Sequence, residues 1–286
     1  MSLYYTQMSF ASGYPYQFSA EVDSMDPVNK TLYIPLFGKA LVSRMGILLH
    51  DSKAEAIWGK EGFPLKGKAA SKWLAYYMAM RARVFDRWLE EKMNEHPHRV
   101  ILHLGCGMDS RIERVGNREQ LWFDMDFPEV IAQREKHFAP QEYYRMLPGD
   151  ARQTDWLESI PGGQGAIVVM EGISMYLKPE ELSALLKALR EHFGDVALLM
   201  DCYTTFAAKA SRYKNPINEV GVTTVYGLDD PYPLERTGLT YLSQMDMTPE
   251  DLIRELPKKD QWLFRKLYAG SMSKKLYRLY EFSSNR

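Results

Sequence analysis

Two glycines and two acidic residues within residues 99–126 have a spacing that suits the binding of a nucleoside. Gly105 and Gly107 share one turn, and Asp124 and Asp126 follow at the distance from which an acid can reach a ribose. Gly105 can adopt backbone angles that are closed to residues with a Cβ, and Gly107 has no side chain to keep a ligand away. A carboxylate at the end of the next strand can accept hydrogen bonds from both ribose hydroxyls.

The turn differs from the dinucleotide fingerprint, which requires a third glycine where the first helix meets the strand. Residues 105–110 read Gly-Cys-Gly-Met-Asp-Ser, so this glycine is missing. A pyrophosphate would need backbone N–H groups at a helix start. An adenosine without phosphates needs only the close approach and the ribose acid. The sequence therefore favours S-adenosylmethionine over NAD, with an ordinary strand-to-helix turn as the plainer alternative.

Seven short segments rich in apolar residues are predicted to be the strands that position this turn. They are residues 100–104, 121–124, 143–147, 166–170, 196–200, 240–245 and 276–282. Helical patterns separate the first five, which predicts a parallel sheet with right-handed crossovers and helices on both faces. Before the sheet, residues 31–59 have a helical pattern with predicted breaks at Pro35 and Gly38.

Acidic residues stand at the carboxyl ends of three predicted strands, where open parallel sheets bind ligands. Asp124 and Asp126 close the second strand, Asp150 follows the third, and Glu171 follows the fourth. Either Asp124 or Asp126 could accept from a ribose. Asp150 could accept from the adenine amine beside the backbone N–H of Ala151. Glu171 could meet the ammonium of a methionyl group.

Residues 71–95 are the clearest predicted helix, because apolar residues recur there at spacings of three and four. Ser71 is a plausible N-cap. Arg81 and Arg83 lie in the middle of this helix. Both could be solvated on its outer face, or one could turn inwards and bind a carboxylate of the cofactor or substrate.

Five stretches of the chain resemble the leucine carboxyl methyltransferase family, on its polyketide O-methyltransferase side. Residues 104–111 read Leu-Gly-Cys-Gly-Met-Asp-Ser-Arg, and residues 171–177 read Glu-Gly-Ile-Ser-Met-Tyr-Leu. The other matching stretches are residues 81–86, 123–128 and 149–152. The resemblance implies a Rossmann-like class I methyltransferase fold, with a seven-stranded, mostly parallel sheet whose last strand is antiparallel.

The resemblance also implies where the cofactor, S-adenosyl-L-methionine, would lie. Gly105, Cys106 and Gly107 would lie beneath it, with the cysteine replacing the family's usual alanine. Asp126 would bind the ribose, Asp150 and Ala151 the adenine, and Glu171 with Gly172 the methionyl end. Either Arg81 or Arg83 would bind a carboxylate. The position of Tyr176, just past the fourth predicted strand, separately suggests that it shapes the acceptor pocket. These cofactor and pocket residues are Arg81, Arg83, Gly105, Cys106, Gly107, Asp124, Asp126, Asp150, Ala151, Glu171, Gly172 and Tyr176.

The domain organisation follows from the same pattern. Residues 1–98 are predicted to form an N-terminal helical extension covering the site, and residues 99–202 the cofactor-binding core. Residues 203–240 break the strand–helix rhythm and are predicted to be a lid or substrate insertion. Residues 241–286 would complete the sheet.

We expect an O-methyltransferase that acts on a small-molecule hydroxyl or carboxylate of polyketide or aromatic type. The alternatives are methylation of a protein C-terminus, an NAD-linked oxidoreductase, and a binding protein without turnover. The net charge of −1 gives no broad attraction to nucleic acid or an anionic membrane. Cys106 and Cys202 predict neither a disulfide framework nor a metal site. No signal peptide or membrane span is evident, which predicts a cytoplasmic protein, monomeric or homodimeric.

Overall fold

The computed structural model describes residues 31–61, 65, 67–116, 119–211 and 224–284. These residues form one seven-stranded sheet with helices packed against it. Its strand order is β3-β2-β1-β4-β5-β7-β6. The strands are β1 (Val100–Leu104), β2 (Trp122–Asp126), β3 (Tyr144–Pro148), β4 (Ala166–Met170), β5 (Val196–Tyr203), β6 (Thr240–Met245) and β7 (Tyr277–Ser283). Only β7 runs antiparallel to its neighbours, so the predicted mostly parallel sheet is confirmed.

Ten α-helices accompany the sheet within the described residues. They are α1 (Tyr33–Arg44), α2 (Ser52–Glu61), α3 (Lys72–Glu95), α4 (Arg111–Val115), α5 (Pro128–Arg134), α6 (Pro179–Phe193), α7 (Thr205–Ala210), α8 (Glu250–Glu255), α9 (Lys258–Tyr268) and α10 (Ser271–Leu276). Short 3₁₀ turns cover Asp155–Ser159, Ser174–Tyr176 and Tyr232–Thr237. None of these helices is long and apolar enough to cross a membrane.

Both faces of the central strands are buried. In β1, Ile101 packs with helices α1 to α3 on one face. Its neighbours Val100 and Leu102 pack with α6 on the other face. Strands covered on both sides read as continuous apolar runs, and this is why β1 and β4 have the predicted bounds.

Helix α1 runs through Pro35 and Gly38, where breaks were predicted. Pro35 lies in the first turn, where backbone N–H groups have no partner within the helix. The N–H that proline lacks therefore removes no helical hydrogen bond. Gly38 marks a close contact with α3, because a Cβ there would lie 3.2 Å from Cα of Ala75. The prediction of breaks at these two residues was therefore wrong.

Strand β5 is longer than predicted. It continues from Met200 to Tyr203 because it pairs with β7, in a register that places Asp201 opposite Leu279 and Tyr203 opposite Tyr277. Of the predicted insertion at residues 203–240, α7 and one 3₁₀ turn are described, whereas residues 212–223 lie outside the described residues. The predicted division into four segments stays a prediction.

Candidate active site

A cavity of about 1030 Å³ opens at the carboxyl ends of β1, β2 and β4. Strand β1 pairs with β2 on one side and β4 on the other, so the sheet order reverses at this point. Open α/β sheets bind ligands at such a reversal. All predicted site residues except Arg83 and Asp124 line the cavity: Arg81, Gly105, Cys106, Gly107, Asp126, Asp150, Ala151, Glu171, Gly172 and Tyr176.

Arg83 and Asp124 do not reach the cavity, and the structure corrects their predicted placement. The Arg83 side chain is one-third exposed, and its Nη1 lies 3.9 Å from Oε1 of Glu90. Asp124 is fully buried in the core. One of its oxygens accepts a 2.8 Å hydrogen bond from Nε1 of Trp122, and the other is bound by Arg134. Asp124 therefore neutralises a buried guanidinium.

The glycine turn has the backbone conformation that its sequence requires. The φ angles of Gly105 and Gly107 are +66° and +49°, which lie in the left-handed region that favours glycine. A Cβ on Gly105 would come within 2.9 Å of Cδ1 of Ile173. A side chain at Gly105 would therefore strain the backbone and force Ile173 to move.

Asp126 is held by the backbone around it. Its Oδ2 accepts a 2.7 Å hydrogen bond from the N–H of Gly107, and its Oδ1 accepts a 2.8 Å bond from the N–H of Phe127. Burial raises the pKa of the Asp126 carboxyl to about 6, although these two N–H groups favour the ionised form.

Asp150 is ionised and fixed by its neighbour Arg152. The Arg152 side chain donates to both oxygens, with Nε at 2.9 Å from each and Nη2 at 2.6 Å from Oδ2. Burial raises the pKa of Asp150, but these hydrogen bonds outweigh it and hold the pKa below its usual value. The adjacent Ala151 is buried at the cavity wall.

Arg81 turns inwards from α3 and joins two strand ends. Its Nε donates a 3.0 Å hydrogen bond to Oε1 of Glu171, and its Nη1 donates a 2.7 Å bond to Oδ2 of Asp201. Its Nη2 donates to none of the described residues, and lies 3.4 Å from where a Cβ would stand on Gly172. The Nη2 group of the guanidinium is therefore available to donate to a ligand.

The two carboxylates that hold Arg81 differ in their titration. Burial raises the pKa of Glu171, but Arg81 and Arg111, which bind one oxygen each, lower it to about 2. Burial also raises the pKa of Asp201. There Arg81 and the N–H of Gly172, which donates to Oδ1 at 2.6 Å, do not fully compensate. Glu171 therefore stays ionised at lower pH than Asp201 does.

A buried network of ions behind the turn was not predicted from the sequence. Lys39 of α1 lines the cavity, is 3% exposed, and places its Nζ 3.1 Å from Oδ2 of Asp109. Arg114 binds the other oxygen of Asp109 at 2.7 Å. Asp86 of α3 accepts from Nε of Arg111 and Nε of Arg114, both at 2.8 Å. These ion pairs tie α1 and α3 to the glycine turn.

Aromatic side chains line the same cavity, and sequence analysis singled out only Tyr176 among them. The ring centroids of Tyr203 and Tyr277 are 4.7 Å apart, and those of Tyr77 and Tyr277 are 5.6 Å apart. Burial raises the pKa of both the Tyr203 and the Tyr277 hydroxyl. We call Tyr77, Tyr176, Tyr203 and Tyr277 the tyrosine cluster. It offers flat apolar contact with a few polar groups.

Comparison with known proteins identifies the family of this chain. The family model for leucine carboxyl methyltransferase matches residues 22–190, more than half of the chain. The chain belongs to the leucine carboxyl methyltransferase family. The family membership that residues 104–111 and 171–177 indicated is thereby confirmed. The protein is an S-adenosyl-L-methionine-dependent methyltransferase, which sets aside the NAD-linked alternative.

Two methyltransferases are similar to this chain in sequence. The chain is 27% identical over 240 residues to the tetracenomycin polyketide synthesis O-methyltransferase TcmP of Streptomyces glaucescens, which covers 82% of this chain and 89% of TcmP. It is 29% identical over 195 residues to the S-adenosyl-L-methionine-dependent methyltransferase dpfgK of Gibberella zeae. That match covers 62% of this chain and 65% of dpfgK.

Solved structures agree on the fold. A protein of Thermobifida fusca, provisionally assigned as a methyltransferase, superposes with a TM-score of 0.55 at 16% identity, covering 80% of this chain and 91% of that chain. A DUF574 family protein of Streptomyces avermitilis has a TM-score of 0.53 at 12% identity, covering 81% and 88%. The predicted Rossmann-like class I fold is confirmed.

Proposed function

We propose that this methyltransferase transfers a methyl group to the hydroxyl or carboxylate oxygen of a small aromatic or polyketide-like molecule. The observation that carries the proposal is one cavity that contains both the acid-rimmed glycine turn and the tyrosine cluster. The relative TcmP, a polyketide O-methyltransferase by name, supports a small-molecule acceptor.

The residues around the turn fit an adenosyl group. Gly105 and Gly107 present bare backbone, and a side chain at Gly105 would displace Ile173. Asp126 would accept from both ribose hydroxyls through lone pairs that Gly107 and Phe127 leave available. Asp150 would accept from the adenine amine.

Oppositely charged groups at the other end of the cavity fit an amino acid. Lys39 and the Nη2 of Arg81 would bind the methionyl carboxylate. Glu171, kept ionised by its two arginines, would attract the ammonium. Arg83 and Asp124 do not line the cavity and would not contact the cofactor.

The tyrosine cluster would hold the acceptor in line with the bound cofactor. When bound, S-adenosylmethionine supplies a methyl group that its sulfonium charge already activates. The protein's contribution is then alignment, which can supply roughly 7–11 kcal/mol of the barrier. Tyr176, Tyr203 and Tyr277 would stack on a flat acceptor and exclude water. A carboxylate acceptor needs no general base.

Turnover tests this proposal directly. The full chain is incubated with S-adenosylmethionine and, in separate reactions, with aromatic hydroxy acids, aromatic carboxylic acids and a peptide ending in leucine. We expect mass spectrometry to detect an O-methylated aromatic product. Methylation of the peptide alone would contradict the proposal and favour a protein C-terminus as the acceptor.

A further inference from the structure

Three short helices carry most of the exposed large apolar side chains of the described residues. Helix α10 contacts both α7 and α9. The exposed side chains on these helices are Phe206, Trp262, Leu267, Met272 and Leu276, the most exposed being Trp262 at 66%. We call the outer faces of α7, α9 and α10 the helical apron. Apolar side chains that gather on a surface in this way mark a site of interaction.

The helical apron is also strongly basic. Its exposed lysines are Lys209, Lys258, Lys259, Lys266, Lys274 and Lys275. Within the described part of the chain, none of them forms a salt bridge. The acid of α9, Asp260, is buried and bound by Lys72 at 2.8 Å, and Arg265 is bound by Glu250 at 2.7 Å. The charge that the apron offers to a partner is therefore entirely positive.

Helix α9 separates its buried and exposed faces cleanly. Asp260 and Phe264 are buried against α3, at a spacing of four residues. Trp262, two residues after Asp260, lies on the opposite side of the helix. The ammonium of Lys266 lies 5.1 Å from the centroid of the Trp262 ring. A tryptophan among lysines on the free face of a helix is typical of helices that lie at a lipid–water interface.

We propose that the helical apron docks on an anionic phospholipid surface. The lysine ammoniums would meet lipid phosphates, and Trp262 with its apolar neighbours would enter the headgroup boundary. Protein interfaces favour arginine and are depleted in lysine, so the lysine-rich apron fits lipid better than an acidic protein. Tyr268 of α9 and Leu276 of α10 line the cavity, so docking would bring its mouth to the membrane. An apolar acceptor could then enter directly from the lipid.

Vesicle flotation of the full chain tests the proposal. We expect the protein to float with vesicles that contain phosphatidylglycerol, to remain unbound with pure phosphatidylcholine, and to dissociate as salt rises. The triple variant K258E/K259E/K266E should bind at least about tenfold more weakly, because each lysine contributes to attraction by an anionic leaflet. W262S should also weaken binding.

Matched substitutions elsewhere provide the controls. Lys187 on α6 is 64% exposed, and Tyr232 is 62% exposed, both outside the apron. K187E and Y232S should float as the wild type does, and all four variants should keep its thermal unfolding midpoint. Absence of flotation with anionic vesicles, or an equal loss in K187E, overturns the proposal. Light scattering that shows a dimer lost in W262S also overturns it, in favour of a second copy of the chain.

Discussion

The backbone N–H of Gly107 and the carboxylate of Asp126 are joined by a 2.7 Å hydrogen bond between the ends of β1 and β2. The N–H of Phe127 holds the second oxygen at 2.8 Å. Among the residues that the structure describes, only backbone groups therefore fix the direction of this acid. Its remaining lone pairs are the acceptors on which the proposed ribose contact depends.

Replacing Asp126 with Asn should weaken the binding of S-adenosylhomocysteine. Asn keeps one acceptor oxygen but loses the charge, and hydrogen bonds to charged groups contribute about 1.5–3 kcal/mol. We expect roughly a tenfold to hundredfold rise in Kd by isothermal titration calorimetry. The exposed Asp155 provides the control, since D155N should bind as the wild type does. A Kd for D126N within about twofold of the wild type would remove the ribose contact from the proposal.

The affinity for S-adenosylhomocysteine should depend on pH through the same carboxyl. The pKa of Asp126 is raised to about 6 by burial, above the ordinary aspartate value near 4. Protonation below pH 6 removes the charge that accepts from the ribose, so affinity should fall as the pH drops from 7 to 5. Titrations across this range should show a much flatter profile in D126N. A wild-type affinity that stays constant, or rises, on acidification would be inconsistent with this role.

Arg81 and Arg83 should differ sharply in their effect on stability. R81A leaves the buried Asp201 without a cation and leaves Glu171 with Arg111 alone, and breaking a buried pair costs about 3–5 kcal/mol. R83A removes only a partly exposed side chain and should change the free energy of unfolding by less than about 0.5 kcal/mol. Urea unfolding of both variants measures the difference. Equal effects would mean that Arg81 does not hold the two strand ends together.

The contrast between these arginines shows where sequence reasoning ends. Both were candidates because both lie among apolar residues of one helix. Two residues along an α-helix point in roughly opposite directions, and only the packing of α3 on β4 and β5 decides which arginine faces the cavity. The sequence also could not distinguish Asp124 from Asp126. Only the folded structure shows that Arg134 of α5 forms an ion pair with Asp124 and leaves Asp126 at the cavity.

Substitution of Gly105 by Ala should be more harmful than the same change at Gly163. Both glycines have positive φ, +66° and +74°, so each Ala incurs backbone strain of about 1–2 kcal/mol. At Gly163 nothing lies within 4 Å of an added Cβ, whereas at Gly105 Ile173 lies at 2.9 Å. Differential scanning calorimetry should show a larger loss for G105A, partly restored in G105A/I173A. An equal loss in the two single variants would mean that Ile173 yields freely.

Much of the sheet could be predicted because its central strands are apolar runs with clear ends. The bounds of β1, β4 and β6 agree with the prediction, whereas β5 was predicted too short. Its last residues, including Asp201, belong to the sheet only because β7 returns to pair with them. That partner strand comes some 75 residues later, and no local pattern reveals such a pairing.

Distant residues also explain what was missed at the site. Lys39 and Tyr277 stand at opposite ends of the chain, and neither belongs to a motif. The total charge of −1 concealed the local excess of lysine on the helical apron, because the acids that balance it lie elsewhere. The net charge of a whole chain does not reveal the charge of one part of its surface.

A crystal structure with S-adenosylhomocysteine tests the central claim most directly. We expect the ribose hydroxyls within hydrogen-bond distance of Asp126, the adenine beside Asp150 and Ala151, and the sulfur facing the tyrosine cluster. A ligand bound in another hollow, or one whose ribose does not contact Asp126, would contradict the proposed site.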